Sequence, residues 1–131
     1  MDIGITAVLA ATFVSYVVGS IWYLWLGKSW RQAVGWSEEG PAYRPSTFEL
    51  LVGLLAQLIM ACALSGLLAH LGLTGVRSAL IAGFGIWLGF ILPSLATNII
   101  FQRRNKKLIW QDGLHWLLIL TSQGVVLGLL S

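Results

Sequence analysis

Long apolar stretches alternate with short polar ones along this chain. No Asp, Glu, Lys or Arg occurs in residues 3–27, 50–76, 78–102 or 113–131. A helix needs about 20 apolar residues to cross a hydrocarbon layer of roughly 30 Å, and each stretch reaches that length. The pattern predicts four transmembrane helices at about 3–26, 50–71, 78–101 and 109–130. Four such spans use roughly 90 of the 131 residues, which leaves loops and no separate soluble domain. The expected fold is an all-α integral membrane protein, a single transmembrane domain over 1–131 whose four helices form a compact bundle.

Local signals refine the boundaries. Ser46 followed by Glu49 is a capping box after Pro45, so the second helix is expected to start near residue 47. Gly35 and Gly40-Pro41 break the first connection. Between the first span and those breaks, Lys28 to Trp36 has the composition of one or two interfacial helical turns, with Trp30 and Val34 dipping inward. Pro93 removes the donor that would meet the carbonyl of Gly89 and predicts a kink in the third span.

Helices in lipid associate by close packing and hydrogen bonds, because lipid tails are as apolar as leucine. Small residues spaced by four mark the contact rows. The first span offers Ala7, Ala11, Ser15 and Gly19, and the second Gly53, Gln57, Ala61, Ser65 and Ala69. The third offers Gly85 and Gly89, the fourth Gly124 and Gly128.

Composition agrees with the pattern. Hydrophobic residues make up 57% and charged ones 10%, with a mean hydropathy of +0.83. These values exclude a disordered chain, a coiled coil and an ordinary soluble domain. Residues 1–6 carry Asp2 and no Lys or Arg, so the first stretch reads as a retained helix rather than a cleaved signal. The single Cys62 excludes an intrachain disulfide.

The net charge of +3 lies between the spans, where it acts on orientation and on lipid headgroups rather than on nucleic acid. Lys28, Arg31 and Arg44 fall in the first connection, and Arg103, Arg104, Lys106 and Lys107 in the third. Only Arg77 lies in the second. Short basic loops stay in the cytoplasm, so both termini are expected outside it. Six of the seven tryptophans (Trp22, Trp25, Trp30, Trp36, Trp110 and Trp116) lie near the same basic end, and Trp87 lies deeper. Interfacial anchoring accounts for such a belt. A sharper reading makes it a basic, aromatic rim for an anionic lipid or an amphipathic anion.

Polar residues inside the spans carry the candidate chemistry. Thr12, Tyr16, Gly19 and Tyr23 share a face of the first span; Ser94, Asn98 and Gln102 follow at steps of four in the third. Asp112, His115, Ser122 and Gln123 fall on one arc of the fourth, while the second offers Glu49, Gln57 and Ser65. Facing inward together, these rows would form a polar seam widening toward the cytoplasm. Ser, Thr and Gln in spans usually serve as interhelical glue. Asp112 and His115 differ, being an ionisable pair at i and i+3 close to or within the membrane. The competing reading has Asp112 capping a helix that begins at Gly113, or neutralised by Arg104 or Lys107. No GxSxG, HExxH or phosphate-cradling loop is present. The expectation is therefore no enzyme, no cofactor and no metal site, a site of Asp112, His115 and Glu49 being a weak proposal.

The stretch Gly19-Ser-Ile-Trp22-Tyr23-Leu-Trp-Leu-Gly27-Lys28-Ser-Trp30 resembles the first-span signature of a bacterial family known only as domain of unknown function 1761. So do Gly89-Phe90, Asn98-Ile-Ile-Phe101, Arg104, Leu108, Asp112-Gly113 and His115. The resemblance covers nearly the whole chain. It implies a four-span protein of the bacterial inner membrane and supplies no reaction. Two positions depart from the pattern: Gln102-Arg103 stands where an acidic residue is expected near the arginine, and Trp116 where an aliphatic residue is common. Each half also reads as a span, a basic loop, an acidic residue (Glu49 or Asp112) and a returning span, the outline of two duplicated hairpins.

The functional expectation is binding or transport of an anionic or amphipathic small molecule or lipid through a cytoplasm-facing polar vestibule. The residues that would carry it are Trp22, Tyr23, Lys28, Trp30, Asn98, Arg104, Asp112 and His115. Expected partners are membrane lipids with anionic headgroups on the cytoplasmic side, and further copies of the chain or a membrane complex. The alternative is a non-catalytic accessory subunit of such a complex. An intramembrane enzyme acting on lipid or quinone ranks last, since the Asp112/His115 pair is its only support.

Overall fold

The computed structural model describes residues 4–36 and 45–131, so Arg44 and the expected Gly40-Pro41 break lie outside the described residues. The described chain is helical throughout its long elements: α1 Gly4–Val34, α2 Thr47–His70, α3 Gly75–Ile86, a π-helical turn Trp87–Ile91, α4 Leu92–Phe101 and α5 Lys107–Leu129. Four runs are long and apolar enough to cross a membrane: Gly4–Val34, Thr47–His70, Gly75–Phe101 and Lys107–Leu129.

Helix ends follow the local chemistry. The Glu49 amide donates to Ser46 Oγ at 3.1 Å, and the Ser46 amide to Glu49 Oε1 at 3.1 Å, which completes the expected capping box. Three helices finish in the same way, with one left-handed residue followed by an amide that reaches back to an orphan carbonyl. Trp36 N donates to Arg31 O after Gly35, Leu73 N to Leu68 O after Gly72, and Arg104 N to Ile99 O after Arg103. Arg103 is the exception in kind, a non-glycine residue at φ 56°.

Where the first helix was expected to leave the membrane, it turns and continues. Gly27 adopts φ 33° and ψ −101°, and residues 28–34 form a second helical piece beyond it. Trp30 and Val34 pack against the buried cluster of Ala33, Ile99 and Leu108, as do Leu95 and Ile109. Pro93 acts through a widened turn. The Leu92 amide donates to Trp87 O, five residues back, and the Ser94 hydroxyl donates to Phe90 O at 2.6 Å.

The least apolar span, α5, is the most enclosed and packs against α1, α2, α3 and α4. In water such a helix would lie at the surface; in lipid its polar groups find partners only inside. The α1 row is as expected, with Ala7, Ala11, Ser15 and Gly19 all buried. Gly124 and Gly128 of α5 meet the α3 backbone, a Cβ at Gly128 falling 2.5 Å from Val76 Cα.

Two rows require correction. Gly85 and Gly89 are exposed with nothing within 4 Å of a Cβ, and the contacts are made by Ala79 and Gly83. Two residues rotate a helix by about 200°, so Gly85 is on the face opposite Gly83. In α2 the buried row passes through Gln57 and Ala61 to Leu64 and Leu68, leaving Ala69 exposed and Ser65 half-buried.

Candidate functional site

Backbone approach between α1 and α5 positions the site. A Cβ on Gly19 would fall 2.8 Å from His115 Nε2 and 2.9 Å from Ile119 Cδ1, so glycine is what admits the imidazole at this level. One turn further along α1, Trp22 and Tyr23 reach across to α5. The bend at Gly27 then brings Ser29 and Trp30 back over the start of α5.

Four aromatic donors end on three consecutive residues. Trp22 Nε1 donates to Gln111 O at 2.9 Å and Trp87 Nε1 to Gly113 O at 2.7 Å. Between them, the Tyr23 hydroxyl donates to Asp112 Oδ1 at 2.6 Å and Trp30 Nε1 to the same oxygen at 3.0 Å. Gln111 Nε2 donates to Ser29 Oγ at 3.1 Å. The Tyr23 ring is in contact with Trp30 and His115, at centroid distances of 5.0 and 4.6 Å, and His115 also meets Trp116 at 4.6 Å. Trp22, Trp30 and Trp87 are thus internal donors as much as membrane anchors, while Trp25, Trp36 and Trp110 are exposed, as an interfacial belt requires.

A second polar layer lies deeper. Ser15 Oγ donates to Gln57 Oε1 at 2.7 Å, and Gln123 Nε2 reaches both Ser15 Oγ at 3.1 Å and Gln57 O at 2.9 Å. One amide therefore ties α1, α2 and α5 together. Thr12 of the same α1 face turns its hydroxyl to Val8 O, while Ser122 bonds to Ile119 O.

The interior has unpaired atoms. Gln111 Oε1, His115 Nδ1 and Gln123 Oε1 are buried without a hydrogen-bond partner, in residues 0, 6 and 0% exposed. All three sit on α5. Buried polar atoms are nearly always satisfied, so these three stand out.

Of the expected residues, Trp22, Tyr23, Trp30, Asp112 and His115 come together. Lys28 is exposed on the piece beyond Gly27, and Arg104 is exposed in the turn before α5. Asn98 is exposed, and with Ser94 and Gln102 it faces outward; Leu95 and Ile99, one position further round, are the residues that pack inward. Asp112 does not cap a helix start, because α5 begins at Lys107 and the Lys107 amide is met by Asn105 Oδ1 at 3.0 Å. Glu49 closes the capping box of α2 rather than joining Asp112 and His115. Among the described residues no group of three metal-type side chains converges.

Sequence reasoning did not place Gln111, Ser29, Trp87 or Gly113 at the site, although Trp87 stood out by its depth and Gly113 by the resemblance. For Gln111 the one signal was its place beside the Asp. Of the groups expected on a vestibule wall, Tyr23 bonds to Asp112 and Gln123 to Gln57, while Thr12, Ser94 and Ser122 bond to backbone of their own helices.

Residues 6–128 match the family described as Protein of unknown function (DUF1761). No curated protein and no solved structure matches the chain.

Proposed function

The chain belongs to the DUF1761 family, a membership that carries no activity, and from the geometry of the site we propose that it binds or transports an amphipathic small molecule or lipid, whose head is received where α1 folds over α5. The observation that supports this reading is the Asp112 carboxyl, half-buried and held by Tyr23 and Trp30 beside the unpaired atoms of Gln111 and His115. Buried polar atoms are seldom left unpaired, and two of them lie at the level of the aromatic residues. The exposed Lys28, Arg103, Arg104, Lys106 and Lys107 form a basic rim suited to anionic headgroups. The basic rim thus attracts the membrane surface, and the interior selects the ligand.

In this reading the basic end is cytoplasmic, both termini face away from the cytoplasm, and the membrane is the bacterial inner one. The bias of seven basic residues to one end supports that orientation. Asn105→Cys in a Cys62→Ala background tests it: an impermeant thiol reagent added to intact cells should leave residue 105 unlabelled. The function is tested by binding of amphiphiles to the protein in nanodiscs, and by flux in proteoliposomes. Equal responses from wild type and an Asp112→Asn, Tyr23→Phe double variant would remove this site from the mechanism.

Gly85 and Gly89, open on the outer surface of the third span, favour a second reading as an accessory or self-associating subunit. Gly85→Leu should then abolish co-purification of the partner in mild detergent while leaving the chain folded.

A further inference from the structure

Resting on the reading that an amphiphile binds here, the structure assigns the chemistry of its head. We propose that it is a protonated amine that carries N–H donors. The argument begins with what the buried interior lacks. Gln111 and His115 are one helical turn apart on α5, so their side chains share a face. Gln111 Oε1 is a pure acceptor, and His115 Nδ1 is the other unpaired atom of that face. Asp112 lies between them in sequence, and the two donors on its Oδ1, Tyr23 and Trp30, are neutral groups.

An anionic head placed here would confront the carboxyl of Asp112 and the Gln111 amide oxygen. An ammonium head matches each of these groups with an N–H, and the rings of Tyr23 and Trp30 add faces that attract cations. A quaternary ammonium has the charge and not the donors, so it would leave Gln111 Oε1 unpaired. The way in is the helical piece after Gly27. It covers the site through Trp30 and Ser29, and it joins the rest of α1 at a residue whose backbone angles suit glycine.

The test uses the full chain in phosphatidylcholine nanodiscs at neutral pH and fixed salt. Intrinsic tryptophan fluorescence is titrated with dodecylamine, dodecyltrimethylammonium and dodecyl phosphate, and empty nanodiscs give the partitioning baseline. Dodecylamine should bind saturably and at least tenfold more tightly than either of the others, a comparison made on the unaltered protein. Gln111→Met should weaken amine binding at least tenfold, and His115→Phe should do so independently, with helicity and elution volume unchanged. Dodecyl phosphate binding as tightly as the amine would overturn the inference, as would an undiminished amine response in a folded Gln111→Met or His115→Phe protein. In those cases an ordered water satisfies the two atoms. If none of the three probes gives a saturable response, it is the proposed function itself that fails.

Discussion

Replacing Gly128 with alanine is the most direct test of how the bundle is held. An ideal Cβ at this position falls 2.5 Å from Val76 Cα, 2.7 Å from Val76 N and 2.8 Å from Gly75 C. All three are backbone atoms, so no side-chain rotation relieves the overlap, and α3 must move away from α5. Overpacking a well-packed contact costs about 1–3 kcal/mol, and with three rigid neighbours the upper end applies. A loss of ~3 kcal/mol is a change of roughly a hundredfold or more in the folding equilibrium. Gly124 is the graded comparison, its Cβ reaching Ala79 O at 3.2 Å, where a small shift suffices. Gly85 is the control: nothing lies within 4 Å, and alanine there is favoured in a helix by up to ~1 kcal/mol. Reversible unfolding in mixed dodecyl sulfate and maltoside micelles, followed by tryptophan fluorescence, reads the series. The expected order of stability is Gly85→Ala at or above wild type, then Gly124→Ala, then Gly128→Ala. A Gly128→Ala protein within about 0.5 kcal/mol of wild type, the spread of an ordinary surface change, would refute the α3–α5 contact and the register that defines the site.

Other outcomes follow from single features. Gly27→Ala has free space, its nearest neighbour being Arg31 Nη1 at 4.0 Å, so its cost is conformational, about 1–3 kcal/mol; thermal melts should show the loss, and limited proteolysis should find residues 28–34 newly accessible. Tyr23→Phe and Trp30→Phe each remove one donor from Asp112 Oδ1 at about 1–3 kcal/mol, and because they share an acceptor the double variant should depart from additivity in the same unfolding assay. Gln123→Leu removes the tie among α1, α2 and α5, yet it also removes an unpaired buried oxygen, so its net cost should stay below ~1.7 kcal/mol. Arg103→Gly should stabilise by about 1 kcal/mol, since a left-handed residue at the end of α4 is strained in any L-amino acid.

Much of this was legible in the sequence, and the reasons it was or was not are physical. Charge-free runs long enough to span a bilayer have one structural outcome, because backbone in lipid must bond to itself. The row Ala7, Ala11, Ser15, Gly19 was readable because α1 has no competing small residues on its other faces of similar regularity. The third span does have such competition. Gly83, Gly85 and Gly89 are equally small, and only the partner helix decides which face turns inward. The polar row Ser94, Asn98, Gln102 misled for a related reason: near a helix end polar groups are met by headgroups and water, so periodicity there does not report an interior. At the site, the pairing of Trp22 with Gln111 and of Tyr23 and Trp30 with Asp112 joins residues more than 80 positions apart. The resemblance flagged both segments without showing that they touch. Gln111 went unremarked and Trp87 was noted only for its depth, because a glutamine and a deep tryptophan look like ordinary bundle residues until their bonds to Ser29 and Gly113 are seen.

The placement of α5 at the centre has a consequence for biogenesis. It is the fourth span to emerge from the ribosome and the one with the weakest claim on the bilayer by itself. Until it arrives, the indoles of Trp22 and Trp30 and the phenol of Tyr23 lack the acceptors they end on, and Ser15 and Gln57 lack the amide that bridges them. Membrane integration of the last segment is therefore expected to be coupled to assembly of the interior. Substitutions in α1 far from the fourth span in sequence should reveal themselves first as chains whose final segment slips back out of the membrane during synthesis.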